Sequence, residues 1–220
     1  VFVRKDNLTD LTASADKICL DATSVKIAVV GGKYDHVEGI LGSLNLTYDL
    51  QGDDEAQFAA AQSFLTDPTA MGQYDIIFIN CGELWTAFAG FFGIGNIQPQ
   101  VAANLRAFVN AGGSLYASDW SAPFIEAAFP DVIDLVGTDT SIADHRVGFA
   151  PQTITADVLT ADLQAVLGGS MTATIEFPHD PANMVWNDHW TVAAGAGAMT
   201  TVHVQGDAQV CQNARCMNAS

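Results

Sequence analysis

Positive charge is what this sequence has least of. Eight Lys and Arg stand against 25 Asp and Glu, a formal net charge of −17. Binding nucleic acid needs basic side chains to neutralise phosphates, so the composition argues against that class of partner. It argues equally against docking on anionic lipid. Long apolar runs are missing too. Nothing approaches the ~18 uninterrupted apolar residues of a membrane span, and the apolar stretch from Ala87 to Ile97 is short and broken by glycine. Paired metal-binding cysteines are also lacking. There are four cysteines, Cys19, Cys81, Cys211 and Cys216. No second close Cys or His pair accompanies Cys211 and Cys216, so there is no zinc signature. Their spacing suits a small disulfide loop and with it an oxidising compartment. The chain opens at Val1 without a methionine or a signal-type segment. The expectation is an exported protein, periplasmic, cell-surface or extracellular, cut from a longer precursor. Asn7, Asn45 and Asn218 head glycosylation-type triplets, which matter only in a eukaryotic secretory route.

What is present is apolar substance. Hydrophobic residues make up 49% of 220 positions, enough for a sizeable core in one large domain, or in one domain with an appended lobe. Three runs stand out: Val25–Gly32, Tyr74–Gly82 and Gly112–Trp120. Continuous apolar runs of this length suit strands buried on both faces, as in parallel sheets covered by helices. Such sheets bind ligands beyond the carboxyl ends of their strands. Those ends carry Tyr34, Asp35, His36, Asn80, Cys81, Glu83, Ser118, Asp119 and Trp120.

The pattern between the runs places the remaining elements. Residues 1–23 read as a polar arm or linker. Asp35 sits where a helix N-cap is wanted, and Val37, Ile40, Leu41 and Leu44 follow at helical spacing. Asn45–Leu50 reads as a short strand. A second helix opens at Asp53 and Asp54 and ends at Asp67-Pro68. The aromatic stretch from Cys81 to Asn96 is either a lid or a short buried helix. Pro99 starts a helix that runs to Asn110 and stops at Gly112-Gly113. Pro123–Phe129 reads as a short helix. Beyond Asp131 the pattern turns β-rich: short strands at 132–136, 147–149 and 153–154, a helix at Asp157–Leu167, a strand at Met171–Phe177, then a Gly/Ala-rich turn leading to Thr200–Val204. The predicted organisation is an arm at 1–23, a domain at 24–210 whose part from 131 is a β-rich extension, and a tail at 211–220. The predicted fold is α/β, flavodoxin-like and doubly wound, a mainly parallel sheet with helices on both faces. The strand order expected for the first four strands is 2-1-3-4.

Three segments together resemble the class I glutamine amidotransferase-like superfamily, nearest to its trehalose-utilisation-like and protein-deglycase-like branches. They are Lys26-Ile-Ala-Val-Val-Gly-Gly-Lys-Tyr-Asp-His36, Tyr74-Asp-Ile-Ile-Phe-Ile-Asn-Cys-Gly-Glu83 and Leu105 to Trp120. The likeness covers about residues 24 to 135. It implies the same fold and a site at the strand ends. Catalytic members carry a cysteine nucleophile on the sharp turn after the fourth strand. Here Ser118 and Asp119 occupy that turn. A serine hydroxyl attacks a carbonyl only with a general base in reach, and Asp119 would repel an attacking anion and favour a hydroxyl, an ammonium or a cation.

The candidate binding residues are therefore Tyr34, His36, Glu83, Asp119 and Trp120. Were the protein an enzyme, His36, Glu83, Ser118 and Asp119 would be the catalytic candidates. Cys81 is a buried structural thiol or a partner of Cys19. His179, Asp180, Asp188 and His189 hold metal-type donors, although Pro181 excludes a regular helix there and a capped turn accounts for them as well. The four tryptophans suit sugar stacking or core packing. No cofactor is called for. Two readings follow. One is a catalytically diverged amidotransferase-like domain acting in binding or assembly at a cell surface or extracellular structure, through self-association or another surface protein, with a small molecule or cation as further ligand. The other is a hydrolase acting on a carbohydrate-related small substrate.

Overall fold

The computed structural model describes residues 25–52, 58–90, 95–137, 146–149, 151–177, 189–212 and 215–219. The chain divides into two compact units, Val1–Ala128 and Phe129–Ser220.

In the first unit the apolar runs become a four-stranded parallel sheet ordered β2-β1-β3-β4 and flanked by helices. The strands are β1 (Ile27–Val30), β2 (Asp49–Leu50), β3 (Ile76–Ile79) and β4 (Ser114–Ala117). This is the order expected from the sequence. Every residue of β1 is buried, which is why Ile-Ala-Val-Val shows no alternation. Ile27 and Val29 pack with Leu41 of α1 (Val37–Ser43). Ala28 and Val30 point the other way. Their register partners Ile77 and Ile79 are buried with them, whereas Ile76 and Phe78 are only half-buried.

Three boundaries follow from side-chain chemistry. The helix α2 (Phe58–Thr66) ends before Asp67 as expected. Asp67, however, starts another element: its carboxylate accepts from the N–H groups of Thr69 and Ala70, and Pro68 enters the first turn of α3 (Pro68–Met71). The aromatic stretch is in part a buried helix, α4 (Leu84–Phe88), with Leu84, Trp85, Ala87 and Phe88 all inside. Residues 91–94 lie outside the described set. α5 (Gln98–Asn110) buries Val101, Leu105, Phe108 and Val109 along one face. It closes with Gly112 N–H on Val109 O and Gly113 N–H on Phe108 O, the paired bonds of a left-handed helix terminus. Gly112 has φ +108°, and a Cβ on Gly113 would stand 2.3 Å from the Phe108 ring. The glycine pair thus turns the chain directly into β4. A single 3₁₀ turn (Asp119–Ser121) and α6 (Ala122–Ala128) complete the unit.

The second unit is antiparallel throughout its described strands. β5 (Ile133–Leu135) pairs with β10 (Ala193–Ala196). β7 (Gln152–Val158) stands between β8 (Thr172–Phe177) and β11 (Val204–Gln205). β6 (Arg146–Phe149), β9 (His189–Thr191), β12 (Ala208–Gln212) and β13 (Arg215–Ala219) form a four-stranded sheet. The Gln152 side chain joins two sheets: its carbonyl accepts from Gln209 N–H at 2.9 Å and its amide donates to Gln209 O at 3.2 Å.

Two expectations are corrected here. The helix expected over Asp157–Leu167 is only α7 (Ala161–Val166). Asp157 still pairs with Thr172, and Val158 N–H donates to Met171 O, so cross-strand bonding overrides helical spacing. Ala193–Ala196, expected as part of a turn, is strand β10.

Candidate functional site

The ends of β1, β3 and β4 meet around one carboxylate. The glycine pair after β1 permits the approach: a Cβ on Gly32 would lie 2.4 Å from Cys81 O and 2.7 Å from Asn80 Cβ. The N–H groups of Lys33 and Tyr34 then both donate to Cys81 O, at 2.9 and 3.1 Å. This delivers Asp35 to the end of the neighbouring strand. One of its oxygens accepts from Cys81 N–H at 2.5 Å, and the other accepts from the Ser118 hydroxyl. Asp35 does not cap the following helix as the sequence pattern predicts. His36 is the capping residue and makes no side-chain cap bond.

The turn after β4 places Asp119 in the left-handed region, with φ +37°. A non-glycine residue there is uncommon and marks strain of order 1 kcal/mol. Sharp strand-to-helix turns of this kind are how nucleophiles are thrust out above α/β sheets. The strained position thus belongs to Asp119, and Ser118 precedes it in extended backbone. The Asp119 residue is exposed, and its carboxylate accepts from the Cys81 thiol at 3.6 Å. Trp120 is 1% exposed and meets the edge of Tyr34 at 4.8 Å. Ser121 donates to Asn80 O at 2.6 Å, which fixes the turn onto β3.

A second group lies beside the first. Asn80 donates to Glu38 at 2.7 Å, and Glu38 meets His36 Nδ1 at 2.8 Å. Partial burial alone would raise the Glu38 carboxyl, but its own backbone N–H, the Asn80 amide and His36 outweigh that and hold it below the usual range. The side-chain oxygen of Asn80, Oδ1, is buried without a partner among the described residues. Burial, then the charge of Asp119, pushes the Cys81 thiol well up, so it is protonated at neutral pH. Burial followed by the Asp35 charge raises Tyr116 as well.

Of the residues singled out in the sequence, Tyr34, Ser118, Asp119 and Trp120 stand together at the strand ends. His36 is largely exposed and is bonded to Glu38, while Ser118 is bonded to Asp35. Glu83 is the half-buried residue ahead of α4. Cys81 is a free, buried thiol, and Cys19, its candidate partner by sequence, lies outside the described residues. His179, Asp180 and Asp188 lie outside the described residues, as does the side chain of His189. The described residues hold no cluster of metal-type donors. The Cys211 and Cys216 side chains are likewise outside the described set, although the hairpin register sets the two residues directly opposite each other. Trp190 is no sugar platform: one ring face stacks on Phe177 at 4.0 Å and 6°, and a Cβ on Gly148 would lie 2.3 Å from the indole, so backbone covers the other face.

The tying role of Asp35 and the roles of Glu38 and Ser121 were not read from the sequence. The signal for Asp35 was its place in the turn after a strand of a parallel sheet, where a short acid can reach across to a neighbouring strand. Comparison with family models, curated proteins and solved structures finds no match for this chain.

Proposed function

We propose that the N-terminal unit is a catalytically diverged amidotransferase-like domain of flavodoxin-like winding. It acts in binding or assembly at a cell surface or in an extracellular structure, through self-association or another surface protein. The observation that carries this reading is the identity of the elbow residue: Asp119, a carboxylate, holds the left-handed position where acyl-transfer chemistry needs a thiolate or an activated hydroxyl. The neighbouring groups support it. Cys81 keeps its proton and donates it to Asp119. Ser118 donates to Asp35, whose other oxygen is held by backbone, and the imidazole of His36 serves Glu38. These hydrogen bonds occupy the Cys81 thiol, the Ser118 hydroxyl and the His36 imidazole. What the turn offers to a ligand is the negative charge of Asp119, suited to a hydroxyl, an ammonium group or a cation. The acidic composition and the facing positions of Cys211 and Cys216 in the hairpin register favour the exported setting.

The test is incubation with glutamine and with p-nitrophenyl esters, followed by intact-mass analysis of wild type and Ser118→Ala. No turnover and no adduct is the expected result. Turnover lost in Ser118→Ala, or a stable acyl group on Ser118, would overturn the proposal in favour of a hydrolase.

A further inference from the structure

The second unit contains a cavity of about 420 Å³ with no ionisable side chain among the described residues of its lining, in a chain of net charge −17. Its walls are unusual in their regularity. All four residues of β10 line it, and so do Val204, Gln205 and Gly206 in succession. Side chains alternate across a strand, so a cavity under a strand face meets every second residue. Consecutive lining residues fit a cavity that meets the strands at their edges.

Those edges are the unpaired ones. Among the described residues β10 pairs only with β5, and β11 only with β7. The ladders fix which backbone groups point away from their partners. Leu159 N–H donates to His203 O, so Val204, next in register opposite Val158, occupies a non-hydrogen-bonded pair. Its N–H and C=O are directed away from β7. Val136 N–H donates to Val192 O and Gly197 N–H to Val132 O. By the same parity Ala193 and Ala196 direct their peptide groups away from β5. Neither edge carries the charge or proline that usually protects a bare strand.

From these observations we infer that the slot between β10 and β11 takes an extended, uncharged stretch of polypeptide from another chain, which pairs with both edges by strand addition. Volume agrees. Strand rise, strand spacing and sheet spacing together allot about 160 Å³ to each residue of a strand, so 420 Å³ takes about three residues. Small side chains at Ala193, Ala194 and Ala196 leave room for a backbone between the edges. Among the described lining residues no ionisable group is present to offset the desolvation of a charged side chain, which selects against one. Trp190 stands in the wall with an indole N–H that has no acceptor among the described residues. The inference does not depend on the chemistry of the Asp119 turn.

The experiment uses the whole chain and a library of acetylated, amidated hexapeptides free of Asp, Glu, Lys, Arg and His. Binding is read by fluorescence anisotropy and amide exchange by NMR. The expected result is a subset that binds with submillimolar Kd and slows exchange at Val204, Ala193 and Ala196 at least tenfold. Val204→Pro lacks the edge N–H but spares the β7 ladder, and is expected to weaken binding at least tenfold. Val204→Thr keeps that N–H and should bind as wild type. No binding peptide, binding without slowed exchange at these amides, or unchanged binding by a folded Val204→Pro protein would each overturn the inference.

Discussion

At the scale of single residues, Cys81 shows how strongly surroundings decide chemistry. Its thiol is buried, beside the Asp119 carboxylate and close to Asp35, and each of these opposes the thiolate. Iodoacetamide at pH 8, followed by peptide mass spectrometry, is expected to leave Cys81 unmodified in the native protein. Asp119→Asn removes the adjacent negative charge and should raise its alkylation rate several-fold; an unchanged rate would assign the inertness to burial alone. The same shift has a pH consequence. The native thiol titrates above the unfolded one at about 8.5, so above that pH the unfolded state releases a proton that the native state keeps. Stability should then fall by up to about 1.4 kcal/mol per pH unit on this account, as read by urea unfolding at pH 7.5 and 9.5. The sequence could not announce this environment. It placed Cys81 at a strand end, but the carboxylates beside it come from positions 46 and 38 residues away.

At the scale of elements, the parallel sheet was legible because buried strands write themselves as unbroken apolar runs, and because the Gly112-Gly113 pair both ends a helix and starts a strand. The antiparallel strands were less legible. β10 is Ala-Ala-Gly-Ala, a composition with little strand preference, and it is a strand because β5 supplies its bonds. Gly148 and Trp190 face each other across β6 and β9. The flat indole needs the missing side chain, with Phe177 on its other face. Gly148→Ala is expected to cost about 2 kcal/mol in urea unfolding through overpacking. A cost under about 0.5 kcal/mol, typical of an unconstrained surface site, would show that the clamp does not exist.

At the scale of the whole molecule, acidic side chains have few cations to meet and turn to backbone donors. Asp35 takes Cys81 N–H, Asp67 takes two N–H groups of α3, and Asp75 takes Lys26 N–H. Such bonds satisfy the carboxylates locally but leave the net charge of −17 in place. Self-repulsion should therefore cost stability at low ionic strength. Raising NaCl from about 10 to about 500 mM shortens the screening length from ~30 to ~4 Å and is expected to raise Tm. A Tm that stays level or falls would show that local pairing outweighs the overall charge. Charge was legible from composition alone; which donor each acid finds was not, because the partners meet only after the chain has folded.

The register of the ladders also bears on the order in which they form. Ile27 pairs with Ile76 and Ile76 with Ser114, so β1, β3 and β4 must close long stretches of chain before they pair with one another. The β7–β8 ladder instead closes from Asp157 and Thr172, and β12–β13 from Gln212 and Arg215. Closure entropy rises with the length of chain enclosed, and non-local pairing is slow to nucleate. Loop closure therefore predicts that the two hairpins form early and the N-terminal sheet late. Pulsed hydrogen exchange during refolding should find the amides of 152–158 and 172–177 protected before those of 27–30 and 76–79. The reverse order would mean that apolar collapse of the buried strands, rather than loop closure, sets the pace.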